Sequence, residues 1–377
     1  MKAPSTRPAA VLGLDVGKSS HWACLIDRDG EVLASAPVRN REAELDALFA
    51  SAPAGTLVVV DQFRNIGSLA VRRARAAGLG VAHLPGLAAS RAAGLFAGEV
   101  KTDERDAAVI ARTALGVPDS LSGVPGRGEA LEAARALSSQ RDHVVACATR
   151  DKNRLRAVLL ESCPALEAAV DLSDRRWLEL LAGFGGAWGI ARSGAGGPRA
   201  EAAGEAAAAS TAPPPALVEA ENRQVMFLAA RISEALDEAG ALEAETAALL
   251  EGDETYACLL TVPGIGPRTA AQLAVSVDIA RFPDHDHLAS YCGIAPRVRS
   301  SGTSVRSVRA SRRGDARLKS LLIFSCNSLV RSSGRYGEYY RACRARGMGH
   351  GRALKAVARK RLRAIYAVMR DRVPYRE

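Results

Sequence analysis

Four acidic residues stand at three stations where an α/β fold gathers oxygen ligands. Asp15 ends the apolar run Val11-Leu12-Gly13-Leu14, and Asp61 ends Leu57-Val58-Val59-Val60. Asp103 and Asp106 lie one helical turn apart in Lys101-Thr102-Asp103-Glu104-Arg105-Asp106. Carboxylates are hard oxygen donors for divalent cations, and a pair of such ions about 3.5–4 Å apart stabilises the attacking and leaving oxygens of a phosphodiester displacement. The chemistry expected is the cutting or joining of nucleic-acid strands. Lys101 and Arg105 flank the helical pair and are placed for contact with phosphate. Taken singly, each acid has an ordinary structural explanation. Asp15 reads as a turn cap and Asp61 as a strand edge. Asp103 reads as an N-cap, with Asp106 in the first turn complementing the helix dipole. Their joint occurrence at two strand ends and one helix of a single sheet points to a metal site.

The elements that must position these acids follow from periodicity. A strand over 10–15 is followed by two more, 21–26 and 31–34, joined across Asp27-Arg28-Asp29-Gly30, a hairpin signal. A helix over 41–52, a buried strand over 57–60, a helix over 66–77, a strand over 80–84 and a helix over 103–114 complete an α/β sheet domain of residues 8–125. Residues 126–254 read as a helical, coiled-coil-like arm. One long helix is expected from 128 to about 184, and a second from 217 to 250. The Ala/Gly/Pro-rich stretch near 185–216 reads as a flexible insertion. The two helices are equally compatible with an αα-hairpin and with a dimer stalk.

Residues 255–377 form a mainly α segment. Leu259 to Ala270, through Pro263-Gly264-Ile265-Gly266-Pro267-Arg268, has the helix-hairpin-helix pattern. Gly264 and Gly266 would let backbone N–H groups approach a DNA phosphate at a helix N-terminus, with Arg268 beside them. Asp284-His285-Asp286-His287 reads as a loop and N-cap rather than a metal cluster. Further helices are expected over 316–330 and 351–369.

Composition narrows the class. The chain has 377 residues, 48% hydrophobic, enough for several domains with a core. No apolar run approaches the roughly 20 residues that span a bilayer, and no signal-peptide core opens the chain, so a cytoplasmic, nucleoid-associated protein is expected. Seven unpatterned cysteines argue against a disulfide frame or zinc site. Net charge is +10 but strongly segregated: from Ala295 onward, 22 Lys/Arg face four acids, against 29 and 37 in the remainder. A segment of about +18 beside one of about −8 suggests a phosphate-binding module next to a metal-binding one. Arg306, Arg309, Arg312 and Arg313 belong to that basic segment and are expected to contact DNA or RNA.

Several stretches together resemble one family. They are Gly-Leu-Asp-Val-Gly-Lys, Val-Val-Val-Asp-Gln, Lys-Thr-Asp-Glu-Arg-Asp-Ala, Val-Pro-Gly-Ile-Gly-Pro-Arg-Thr-Ala, and Gly-Ile-Ala-Pro followed by Ser-Gly-Thr-Ser. In this order they are similar to the DEDD insertion-sequence transposases, the "IS one-ten" family, which includes bridge-RNA-guided serine recombinases. The resemblance spans nearly the whole chain except the 185–215 stretch. It implies a RuvC-like, RNase H-like N-terminal domain, a coiled-coil arm and a C-terminal transposase domain. It assigns Asp15, Asp61, Asp103 and Asp106 to a Mg²⁺-binding tetrad, with Mn²⁺ as a substitute. The second station is usually Glu, so Asp61 is one methylene shorter than the pattern. The resemblance further implies a serine nucleophile just before the glycine of the Ser-Gly motif. Here that is Ser301 before Gly302, with Ser300 as its rival. Arg297, Arg299 and Arg306 lie near it in sequence and are suited to holding the scissile phosphate.

The expected activity is a transposase and site-specific recombinase that excises and inserts its own element. The resemblance implies double-stranded DNA at the element ends and target, a structured guide RNA, and a homo-oligomer in which tetrad and serine come from different subunits. The rival readings are a metal-dependent junction-resolving nuclease without a covalent intermediate, and an inactive nucleic-acid-binding remnant.

Overall fold

Strand β1 (Ala10–Asp15) is buried along almost its whole length because it runs between two neighbours in the sheet. A computed structural model of the chain describes residues 8–96, 102–124, 126, 128–301, 304–310 and 314–376, without the side chains of 296–301 and 304–310. The described residues divide into two compact units at Gly126. In the first, β2 (Ser20–Asp27) and β3 (Val32–Arg39) add antiparallel to one edge of β1. Helix α1 (Glu42–Ser51) crosses to β4 (Thr56–Val60), parallel to β1, and α2 (Ser68–Ala76) crosses to β5 (Gly80–His83), parallel to β4. Helices α3 (Gly86–Ala93) and α4 (Asp103–Gly116) and a short antiparallel β6 (Ser122–Gly123) complete the order β3-β2-β1-β4-β5-β6.

The period of two along β1 and β4 sorts their side chains onto two faces. Leu12, Leu14, Val58 and Val60 pack with Leu45 and Phe49 of α1 and with Val71 and Ala74 of α2. Val11, Leu57 and Val59 pack on the opposite face with Ala107, Ile110, Ala111 and Ala114 of α4. Gly13 shares this second face. A Cβ there would lie 2.4 Å from the Ala107 carbonyl and 2.7 Å from the Ala111 nitrogen. Only glycine lets α4 lie this close to β1, and the alanine stripe of α4 is the matching surface.

The second unit begins with α5 (Glu129–Ser162) and returns along α10 (Pro215–Leu249). The ion pairs Arg141–Glu243 and Asp151–Arg231 bridge the two helices and fix them as antiparallel. Between them lie α6 (Pro164–Ala169), α7 (Arg175–Phe184), α8 (Ala187–Ser193) and α9 (Pro198–Ala208). The helix expected to run to residue 184 therefore stops at Ser162. Pro164 cannot continue it and instead opens α6. The stretch expected to be a flexible insertion is instead largely helical. Ala200, Ala203, Ala206 and Ala207 of α9 bury against Leu166, Trp177, Leu178 and Val225, and the Asn222 side chain accepts a hydrogen bond from Gly186 N–H at 2.8 Å.

The remaining helices share one core with the first turns of α5. They are α11 (Glu254–Leu260), α12 (Pro267–Ser276), α13 (His285–Tyr291), α14 (Ala316–Phe324), α15 (Asn327–Arg331), α16 (Arg335–Ala345) and α17 (His350–Asp371), with β7 (Pro296–Ser301) and β8 (Ser304–Ala310) between α13 and α14 in the chain. Strands β7 and β8 pair antiparallel as a hairpin, with Ser301 opposite Ser304. Asp284 caps α13, accepting from the Asp286 and His287 N–H groups at 2.9 Å, in line with the N-cap reading of that sequence. All seven cysteines are free thiols. Among the described residues, no helix is long and apolar enough to cross a membrane.

Candidate active site

Register and face together bring the strand-end acids into one place. Leu14 pairs with Val60 across the parallel β1–β4 ladder, so the following residues, Asp15 and Asp61, emerge side by side at the carboxyl ends of both strands. By the period of two, both belong to the face that α4 covers. Asp106, in the first turn of α4, meets them there. Asp15, Asp61 and Asp106 line one cleft of about 370 Å³, with Ala89, Ser90 and Ala93 of α3 forming its opposite wall.

The hydrogen bonds explain how Asp61 is held. Its Oδ1 accepts from the Val16 N–H at 3.2 Å, which ties the end of β4 to the residue after Asp15. His83 of β5 pairs with Val60, and its Nε2 meets the Asp61 backbone carbonyl at 3.0 Å while its Nδ1 meets Ser122 Oγ at 2.9 Å. Burial pushes the Asp61 pKa above the usual carboxylate range. The backbone N–H of Val16 and the charge of His83 oppose that rise. On the other side of Asp15, the turn after β1 is braced by His21, whose Nδ1 accepts from Gly17 N–H at 3.2 Å. Burial lowers the His21 pKa, against the opposing effects of Asn40 and Asp61, and so favours a neutral ring.

Asp103 is placed differently. Thr102, rather than Asp103, is the N-cap of α4, its Oγ1 accepting from Arg105 N–H at 3.2 Å. Asp103 is therefore the first helical residue, exposed, and is absent from the lining of the cleft. Arg105 does line the cleft, and its guanidinium donates to the Ala93 and Phe96 carbonyls at 3.3 and 3.1 Å, anchoring the end of α3. Among the described residues, no three His, Cys, Asp or Glu side chains form a ready-made metal cage. The three cleft carboxylates share a cavity without converging on one point. Their chemistry still suits a hard divalent cation, because an all-oxygen donor set with a desolvated member gains most from a positive charge.

The segment 255–377 presents two further features. The turn between α11 and α12 has Gly264 in the left-handed region at φ 75. A Cβ on Gly264 would lie 2.8 Å from Leu329 Cγ and 2.9 Å from Arg361 Nη1. The left-handed backbone and this internal crowding both require glycine here. Gly266, the N-cap of α12, faces open space on its Cα side and leaves the first turn without a side-chain cap. Beneath the turn, fully buried Arg361 donates to the carbonyls of Pro263 at 3.2 Å, Ser325 at 3.1 Å and Leu322 at 3.2 Å. Ser301 is the last residue of β7. Its side chain, with those of Arg297, Arg299, Arg306 and Arg309, lies outside the described residues, as do Lys101, Arg312 and Arg313.

Sequence reasoning missed Gly13, His21 and His83 as residues that shape the cleft. A glycine inside an otherwise apolar strand is a signal of close backbone approach; the two histidines carry no local signal, because their partners are distant in sequence.

Comparison with known proteins gives the class first. Residues 12–164 match the family model of the DEDD IS110 type, described as a transposase, and residues 256–341 match that of the transposase IS116/IS110/IS902 family. A 43.6 kDa insertion element IS110 protein of Streptomyces coelicolor is 35% identical over 96% of this chain and 94% of its own length. A 42 kDa insertion element IS900 protein of Mycobacterium paratuberculosis is 32% identical over 96% of both. The pilin gene-inverting protein of Moraxella bovis is 35% identical over 31% of this chain and 37% of its own. T. thermophilus RuvC, solved in complex with a Holliday junction substrate, aligns with 30% of this chain and 99% of its own at 16% identity and a TM-score of 0.25. The chain belongs to the IS110 family of insertion-element transposases.

Proposed function

We propose that this transposase excises and inserts its own element by covalent serine chemistry assisted by the carboxylate cleft. The observation that carries the reading is the assembly of Asp15, Asp61 and Asp106 around one cavity at the carboxyl ends of β1 and β4. The strand order β3-β2-β1-β4-β5, with the first three strands antiparallel and the rest parallel to β1, supports an RNase H-like reading of this unit. Asp15, Asp61 and Asp106 would hold Mg²⁺ or Mn²⁺, with Asp103 as a fourth carboxylate. The ion supplies charge stabilisation at the phosphate. Ser301 Oγ forms a bond to phosphorus as the bridging P–O bond to the leaving strand breaks. The serine proton ends on the released hydroxyl. Reversal of the same step by another strand's hydroxyl rejoins the DNA and frees the serine.

Residues 255–377, with Gly264, Gly266, Arg268, Arg297, Arg299, Arg306, Arg309, Arg312 and Arg313, supply the phosphate contacts. A structured guide RNA would select the target, and a homo-oligomer would pair the cleft of one subunit with the serine of another. The test is a denaturing gel for protein–DNA adducts, with labelled element-junction DNA, Mg²⁺ and RNA from the element flanks. An adduct present in wild type and Ser300→Ala but absent in Ser301→Ala is expected. Mg²⁺-dependent cleavage without an adduct in any variant would overturn serine attack and favour a junction-resolving nuclease.

A further inference from the structure

A cavity of about 310 Å³ lies within the second unit, between α5, α10, α12 and α14, and shares no residue with the carboxylate cleft. Three guanidiniums meet there: Arg141 of α5, Arg268 of α12 and Arg317 of α14. Two carboxylates partly neutralise them. Arg141 reaches Glu243 at 2.7 Å and Asp142 at 3.3 Å. Arg317 pairs with Asp142 and donates to the Ser138 carbonyl at 2.7 Å. Arg268 approaches Asp142 only to 3.9 Å and keeps its side chain 45% exposed. Three cations against two anions leave one positive charge in excess, and Arg268 is its least committed carrier. Burial lowers the Arg268 pKa, joined by the charges of Arg141 and Arg317 and opposed by those of Asp142 and Glu243. Arg141 Nε is buried and has no hydrogen-bond partner among the described residues. The uncapped first turn of α12, through Pro267 and Arg268, borders the same space.

The rest of the wall is not ionic. Phe324 lies at the end of α14 with 68% of its surface exposed. Leu321 and Ala271 extend the apolar side. Buried Gln272 donates its amide to Ser276 Oγ, which leaves its carbonyl oxygen as an acceptor. Ligand pockets begin at about 300 Å³, more room than a lone phosphate fills. A site for a duplex phosphate would have no use for an exposed ring, whereas bases of a single strand stack on aromatic faces. We infer that this cavity receives one unpaired nucleotide of a nucleic-acid strand, its phosphate on Arg268 and Arg317 and its base on Phe324.

The inference rests on the reading of the chain as a nucleic-acid enzyme. The test is fluorescence anisotropy of the full-length protein, without divalent metal, on a labelled single-stranded DNA, an RNA of the same sequence and the matching DNA duplex. Phe324→Ala should weaken single-strand binding about tenfold, within the range of one stacked base, and leave duplex binding within about twofold. Arg268→Ala should weaken single-strand binding and reduce its salt slope by about 0.7, one phosphate contact. The polymer that shows the Phe324 dependence identifies the source of the nucleotide. Unchanged single-strand affinity in both variants, equal losses of Phe324→Ala on single strand and duplex, or no single-strand binding by the wild type would overturn the proposal. Binding is read without cleavage, so failure of the strand chemistry leaves this result standing. Failure here leaves the recombinase reading intact.

Discussion

Asp61 is poorly served as a charge: it is half-buried, and burial raises its pKa against the opposing hydrogen bond from Val16 N–H and the charge of His83. A carboxylate whose folded pKa lies above its unfolded value contributes stability below the unfolded pKa and loses that contribution as pH rises through the folded pKa. At neutral pH the ionised form therefore works against the metal-free fold. Asp61→Asn keeps an oxygen for Val16 and removes the charge. In EDTA it should melt at or above the wild-type Tm, with the gain disappearing towards pH 4, while strand cleavage is lost. A clear fall in Tm at neutral pH would mark Asp61 as a structural cap. The strand-end positions of Asp15 and Asp61 were readable because each closes an apolar run, and only their joint occurrence set them apart from a turn cap and a strand edge. That Asp106 would reach the cleft wall while Asp103 would stay outside it was not readable, since it depends on where α4 settles against β1.

At the scale of elements, the contact between β1 and α4 sets the width of the cleft. Gly13→Ala inserts a methyl where backbone stands within 2.4 Å. A loss of about 1–3 kcal/mol in urea unfolding is expected, typical of overpacking, together with reduced cleavage. Gly116→Ala, at a helical glycine with open space around it, is the control and should be neutral or stabilising by up to about 1 kcal/mol. Arg361 performs a comparable task in the other unit, fastening the 263–266 turn to the end of α14. Arg361→Met strands buried carbonyls and should cost on the order of 3 kcal/mol.

The strands of the sheet were legible from their apolar runs, but the 185–215 stretch was misjudged for a physical reason. In the 185–215 stretch, glycine and proline mask an alanine spacing of three and four residues, at Ala200, Ala203, Ala206 and Ala207, that a packed helix uses. The β7–β8 hairpin carried no clean strand signal: Val298 stands between Arg297 and Arg299, but Val305 and Val308 are three residues apart and break the period of two.

Across the whole molecule, the separation of charge predicts behaviour more than shape. With 22 Lys/Arg against four acids after residue 294, duplex DNA binding should be dominated by counterion release. Even about four phosphate contacts would lower affinity about a hundredfold between 50 and 200 mM salt. Filter binding across that range checks this, and a flat salt response would contradict it.

The central claim, that the cleft is the reaction centre, is most directly tested by strand cleavage of element-junction DNA with single carboxylate variants at saturating Mg²⁺. Asp15→Asn, Asp61→Asn and Asp106→Asn should each reduce the rate by at least about a hundredfold, roughly 3 kcal/mol of transition-state stabilisation. Asp103→Asn, exposed and outside the lining of the cleft, should lose less. Wild-type cleavage in any of the first three, with the protein folded, would contradict the account.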